Sequence, residues 1–235
     1  MGDLYVIRHA QASFGKPDYD QLSRLGFRQA SLLEGYLSHQ GVGFEAVFSG
    51  AMKRHLDTAQ PLLSCLGPDT GPEALTVLSE FNEYDSSSLM QVQLPHLTRE
   101  DPSLEKDLAN IYTDPKSVYR LLNRAILRWI ADPDDTSGLE TWAGFTQRVR
   151  KGINRVIEEA GQGKTVALVT SGGPISALLQ IALSLSDQET IHLAWQLRNA
   201  SVSIFKYNRK RLTLDSFNSV AHLEKEKDPA LITYR

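Results

Sequence analysis

Arg8 and His9 stand together where a short apolar run, Leu4-Tyr5-Val6-Ile7, gives way to Gln11, Ala12, Ser13 and Gly15. Such a run reads as a short buried strand. Ligands of open α/β sheets bind just beyond the carboxyl ends of the strands. A guanidinium placed there can fork onto phosphate oxygens, and a neutral imidazole nitrogen can attack phosphorus. The same pair can also do no more than pack and cap, so the reading turns on partners elsewhere in the chain. Three further segment ends supply candidates. Ala46-Val47-Phe48 closes on Ser49-Gly50 and leads into a helix with Arg54 in its first turn. A strand ending at Phe81 runs into Asn82-Glu83-Tyr84-Asp85. Thr-Val-Ala-Leu-Val-Thr at 165–170, the clearest buried strand, runs through Ser171-Gly172-Gly173 into Pro174, a residue favoured in a first helical turn.

The elements that must hold these residues alternate strand and helix. Ser23 caps a predicted amphipathic helix carrying Leu25, Leu32, Leu33, Tyr36 and Leu37 and ending near Gly41 and Gly43. A second helix is predicted over 52–66, then a strong turn over 67–72 and a strand over 74–81. Residues 86–140 are polar, with Asp-Pro steps at 101–102, 114–115 and 132–133 and helical pieces at 104–112 and 117–130. Phe145, Val149, Ile153, Val156 and Ile157 mark a core helix, a further helix runs from Pro174 to about Leu185, and 201–207 with 211–217 form a predicted hairpin. The pattern predicts an α/β fold: a mostly parallel central sheet with helices on both faces, residues 1–235 forming a single domain. The helical insertion at about 86–140 is expected to lie over the strand ends.

Composition narrows the field. A net charge of −3 gives no basic field for nucleic acid or an anionic membrane. No apolar run approaches the roughly 18 residues of a membrane span. Cys65, the single cysteine, is expected to be a small core residue. The sequence opens on Met1-Gly2-Asp3 and a strand, which argues against a signal peptide and for a cytoplasmic protein. Oligomeric state stays open.

Taken in order, these segments resemble the histidine phosphatase superfamily, the phosphoglycerate-mutase-like enzymes. Arg8-His9-Ala10 is similar to the family's Arg-His-Gly, and Leu22-Ser23-Arg24-Leu25-Gly26-Phe27-Arg28-Gln29-Ala30 to its Leu-Thr-x-x-Gly-x-x-Gln-Ala. Ser49-Gly50-Ala51-Met52-Lys53-Arg54-His55-Leu56-Asp57-Thr58-Ala59 resembles its Ser-Ser-x-x-x-Arg-x-x-x-Thr-Ala. Phe81-Asn82-Glu83 resembles its apolar-x-Glu, and Asn199-Ala200-Ser201 its late Asn-x-Ser. Leu168-Val169-Thr170-Ser171-Gly172-Gly173 falls where the family has Val-Ser-His-Gly-Gly. The resemblance implies a phosphohistidine intermediate, no metal or cofactor, and a small phosphorylated metabolite or phosphoprotein as substrate. It makes His9 the nucleophile, Arg8 and Arg54 the phosphoryl clamp, and Glu83 the acid and later the base. Glu80, in Leu78-Ser79-Glu80, is the second candidate for the acid. Ser171 and Gly172 would face the phosphoryl group.

Two departures stand out. The family's second active-site histidine falls at Ser171, and the asparagine that follows the first motif falls near Gly15. Losing one oxyanion donor costs about 10²–10³ in rate. The Gly172-Gly173 backbone and the helix start at Pro174 still offer dipoles to an anion. The expected function is therefore a metal-independent phosphatase with reduced activity. A phosphate-ligand binding protein on the same fold is the alternative, and a mutase-type phosphotransferase stands behind both. On this reading, Ser171→His raises turnover about tenfold or more; where serine instead makes room for a bulkier substrate or a phosphate held by the Gly172-Gly173 backbone, histidine blocks it and activity falls. His55, His192 and His222 have no partner motif and are expected at surface or structural positions. Trp129, Trp142, Tyr112 and Tyr119 are expected in the core, with a pocket lining as the alternative, and Arg209-Lys210-Arg211 in a solvated turn.

Overall fold

The run from Leu4 to Ile7 is the middle of the sheet. The structure, a computed structural model, describes residues 1–13, 20–67, 75–111, 113–131 and 138–234. Gly15, the turn residues 68–72, Ala74, Tyr112 and the Asp-Pro step at 132–133 lie outside the described residues. In chain order the elements are β1 (Gly2–Arg8), α1 (Arg24–His39), β2 (Ala46–Ser49), α2 (Lys53–Leu62), β3 (Leu75–Val77), α3 (Ser86–Glu100), α4 (Glu105–Ala109) and α5 (Pro115–Ala131). Then follow α6 (Trp142–Ala160), β4 (Thr165–Thr170), α7 (Gly172–Leu183), α8 (Asp187–Ala194), β5 (Val202–Asn208), β6 (Arg211–Ser219) and α9 (Ala221–Glu224). The strands form one sheet in the order β3-β2-β4-β1-β5-β6. β1, β2, β3 and β4 run parallel, β5 lies antiparallel to β1, and β6 antiparallel to β5. The mostly parallel α/β sheet expected from the alternation is the one observed.

Both faces of the central strands are buried, which is why they read as continuous apolar runs. Ile7, Val47, Ala167, Val169 and Val202 pack with Leu33 and Leu37 of α1 and Ala59 and Leu62 of α2. The alternate residues Leu4, Val6, Phe48, Leu168 and Phe205 are equally buried on the opposite face, where α7 packs on β1 and β6. Cys65 lies in the first of these cores as a free thiol.

Several boundaries differ from expectation for local reasons. The strand expected over 74–81 pairs with β2 only through Val77. After Leu78 N–H has donated to Ser49 O, Ser79–Phe81 turns as a 3-10 segment. The helix expected over 52–66 keeps Pro61 inside its last turn and tightens to 3-10 geometry over Leu63–Cys65. Helix α3 was not legible in the sequence. Its buried face is Leu89, Gln93 and Leu97, with a glutamine at the centre and Pro95 within it. Its start is nonetheless marked by Asp85, whose carboxylate accepts from Ser87 and Ser88 N–H.

The chain divides into two compact units, Met1–Glu83 with Arg148–Arg235, and Tyr84–Gln147. The second has its own core of Leu97, Leu104, Leu121 and Ala125. It also holds an aromatic cluster in which Trp129 meets Tyr84, Trp142 and Phe145 at ring distances of 5.3, 5.4 and 6.2 Å. Trp129 and Trp142 are thus buried, as expected of core aromatics, whereas Tyr119 is exposed.

In the first unit His222 is buried beside Tyr36, and burial pulls its pKa down to about 4. An unfolded imidazole titrates near 6.5. Below that pH the unfolded chain binds the proton first, so stability falls as pH drops from 6.5 towards 4. The His222 share of that loss at pH 4.5 is about 2 kcal/mol. Urea unfolding at pH 7 and 4.5 should show the gap between the two pH values shrinking by about that amount in His222→Gln. An unchanged gap would mean the imidazole is solvated in the folded state.

Candidate active site

The sheet register assembles the site. Arg8 pairs with Thr170 and Ser49 with Val169, so three neighbouring parallel strands end at one level. His9 N–H donates to Thr170 O and Gly50 N–H to Val169 O. Arg8-His9, Gly50 and Ser171 therefore leave adjacent strands side by side.

His9 is held in one tautomer. Its Nδ1 lies 2.8 Å from Ala10 O; a carbonyl can only accept, so Nδ1 carries the proton and Nε2 keeps a lone pair. Burial, then Arg54, Arg8 and His55, push its pKa well below the ordinary imidazole value, so the ring is neutral and nucleophilic at neutral pH. The motif residues around it are braces. Ala10 N–H donates to Thr58 Oγ1, whose hydroxyl donates to Arg54 O, tying the His9 loop to α2. Asn199 Nδ2 and Ala200 N–H both donate to His9 O. Gln29 accepts from Gln11 N–H and donates to Leu231 O.

Two guanidiniums flank this imidazole. Arg54 is buried at the start of α2, where Nη1 donates to Asp20 Oδ1 at 2.6 Å. The other Asp20 oxygen accepts from Lys53 N–H. Arg8 Nη1 donates to Leu197 O. A Cβ added at Gly172 would lie 3.9 Å from Arg8 Nε, which places the arginine against the start of α7. Glu83 reaches the same helix start, its Oε2 accepting from Gly173 N–H at 3.0 Å. Glu80 points elsewhere, towards Arg155 at 3.6 Å. Arg148, which sequence reasoning did not single out, donates to the carbonyls of Ser79, Glu80 and Asn82 and so fixes the segment leading into Glu83.

Of the surface and structural positions expected for His55, the structure takes the second. It is fully buried, with Nε2 2.6 Å from Ser171 Oγ and its ring 5.7 Å from that of His9. Burial and then Arg54 hold its pKa well below the ordinary value. Its neighbour in sequence, Arg54, was recognised because it matched a motif; His55 matched none. What brings it to Ser171 is the pairing of β2 with β4, together with Gly50, where a Cβ would lie 2.3 Å from His55 Nδ1. His222 is buried as well, apart from the site, whereas His192 is exposed.

Among the described residues no group of three or more His, Cys, Asp or Glu side chains is placed to hold a metal ion, and no helix is long and apolar enough to cross a membrane. The arrangement offers a neutral nucleophilic imidazole, two cations, a carboxylate and a helix start around one point. That set matches the needs of phosphoryl transfer, in which charge on the phosphoryl oxygens must be held while a nucleophile and a leaving group exchange.

Known proteins resemble the chain in both sequence and fold. A bifunctional protein of Mycobacterium tuberculosis is 26% identical over 212 residues, covering 86% of this chain. The chain spans about half the length of the curated relatives it matches. Among solved structures, the phosphoserine phosphatase of Entamoeba histolytica in complex with phosphoserine superposes with a TM-score of 0.64 at 18% identity, covering 95% of this chain and 100% of that one. The phosphoglycerate mutase of Bacillus anthracis gives 0.62 at 20% identity, with 96% of each chain covered. The alpha-ribazole phosphatase of Shigella flexneri gives 0.61 at 21%, covering 92% and 96%. The profile of the histidine phosphatase superfamily, branch 1, matches residues 4–115 and 112–220. The chain belongs to the histidine phosphatase superfamily.

Proposed function

We propose that the chain is a phosphomonoester hydrolase that works through a phosphohistidine on His9. Nε2 attacks phosphorus and the ester P–O bond breaks, while Arg8 and Arg54 hold the phosphoryl oxygens. Glu83 gives its proton to the departing oxygen. A water then attacks the phosphohistidine, Glu83 takes a proton from it, the P–N bond breaks and inorganic phosphate leaves. Gly172, at the start of α7, adds a backbone dipole facing the anion, while the Gly173 N–H holds Glu83.

The observation that carries this reading is the tautomer of His9. A buried imidazole with its proton committed to Ala10 O, set among cations that keep it neutral, is a prepared nucleophile. The substrate is a small phosphomonoester, of the class found bound in structural relatives as phosphoserine and 3-phosphoglyceric acid.

Because the arginines supply the positive charge, turnover is expected to be unchanged in excess chelator across a panel of phosphoesters. Brief reaction with labelled substrate and an alkaline quench should leave one acid-labile phosphate on His9. Activity that vanishes with chelator and returns with a divalent ion would refute the mechanism. Tight phosphate binding without turnover or labelled protein would favour a phosphate-binding protein, the reading that the serine at position 171 supports.

A further inference from the structure

Ser171 stands at the N-cap position of α7, yet its side chain makes no capping hydrogen bond. Its oxygen lies instead 2.6 Å from His55 Nε2 and 3.4 Å from Arg54 Nη2. The guanidinium can only donate, so the proton on His55 decides what the hydroxyl does. Burial and Arg54 keep His55 neutral, with one proton to place. A proton on Nδ1 would be buried with no acceptor, since Nδ1 has no hydrogen-bond partner and lies where a Gly50 Cβ would be. Buried N–H groups without an acceptor are rarer than under-used acceptors. The proton therefore sits on Nε2 and is donated to Ser171 Oγ. With both lone pairs of that oxygen taken, by His55 and Arg54, its own hydrogen has no acceptor among the described residues and is left for a ligand.

We propose that His55 and Ser171 act as one donor to the phosphoryl group, the His55 imidazole fixing the Ser171 hydroxyl so that its hydrogen meets a transferring phosphoryl oxygen. The proposal rests on the phosphohistidine reading of His9. It returns a second imidazole to the site from α2, where the resemblance would have placed one at the end of β4. Ser171 touches the phosphoryl group; His55 acts through it as a positioning residue. Space is divided to match. Gly50 lacks the Cβ that would strike the imidazole on one side, and Ser171 is short on the other. Ser171→His alone therefore sets two rings in one volume, and the rise in turnover expected from sequence becomes a fall.

The test is a double-mutant cycle on the full chain, using Ser171→Ala, His55→Leu and the double variant, with His55→Gln as the conservative change. Orthovanadate affinity by calorimetry and kcat and KM on p-nitrophenyl phosphate are the readouts, with circular dichroism and Tm to follow the fold. Each single variant should lose about 10²-fold in kcat, with a parallel loss in vanadate affinity and a much smaller change in KM. The double variant should be no worse than Ser171→Ala, and His55→Gln, whose amide still donates, should lose less than His55→Leu. Adding His55→Ala to Ser171→His should recover activity that Ser171→His alone loses. If His55→Leu does not fold, the cycle with His55→Gln decides. Losses that multiply in the double variant, or parental values in His55→Leu, overturn the proposal. Labelling of His9 in the parent protein tests the underlying reading separately. A labelled parent with multiplying losses sinks the pair alone, and an unlabelled parent sinks the phosphohistidine while the vanadate cycle still decides the pair.

Discussion

His9→Ala should stop turnover, with kcat down by about 10⁴ or more, while the fold and most of the phosphate affinity remain. The fold should survive because the contacts that hold position 9 are made by its backbone. Its N–H donates to Thr170 O, and its carbonyl accepts from Ala200 N–H and Asn199 Nδ2. Alanine keeps all of these. The lost imidazole is neutral, so the pocket keeps its charge, and Arg8 and Arg54 still bind the anion. Loss of chemistry with binding retained is what removal of a nucleophile predicts and removal of a brace does not. The cavity left by the ring invites a second check, since added imidazole should restore some turnover. An alanine variant that hydrolyses phosphoesters at the parental rate would refute the assignment.

How much of this was legible beforehand differs by residue. The α/β class followed from the buried runs at Leu4–Ile7 and 165–170, whose two apolar faces need helices on both sides. Arg8, His9, Arg54, Glu83, Ser171 and Gly172 could be named because each ends a strand or opens a helix within an ordered motif. Glu83 was preferred to Glu80 because Tyr84-Asp85 after it fit the motif, and the 3-10 turn at Ser79–Phe81 then sends the Glu83 carboxylate to Gly173 N–H and the Glu80 carboxylate towards Arg155. Thr58, Gln29 and Asn199 looked like motif letters; only the packed structure gives them work, as braces between loops far apart in sequence. His55 was illegible for a different reason. A single histidine after an arginine carries no period and no motif, and its partner lies 116 residues away across a parallel strand pair. Long-range register is the information that local pattern lacks. Helix α3 was hidden by the opposite fault, a local pattern diluted by a buried glutamine and an internal proline.

Glu83→Gln should separate the two proton transfers. Glutamine keeps an oxygen for Gly173 N–H, so the side chain can stay where the structure has it, but it can neither give nor take the catalytic proton. An alkyl phosphate releases a strongly basic oxygen that needs a proton as the P–O bond breaks, and its hydrolysis should fall by about 10²–10⁴. An aryl phosphate with an acidic phenol departs without that help, so phosphorylation of His9 should remain fast. The second half of the reaction still needs a base for water. The variant should therefore release about one equivalent of phenol per site in a burst and then slow down, holding its phosphate on His9. Rapid-quench measurement of phenol and of protein-bound phosphate reads both quantities on one sample. Equal losses on both substrates with no burst would make Glu83 a positioning group on the α7 start. The same burst from Glu80→Gln, with Glu83→Gln unaffected, would move the acid to the carboxylate now facing Arg155.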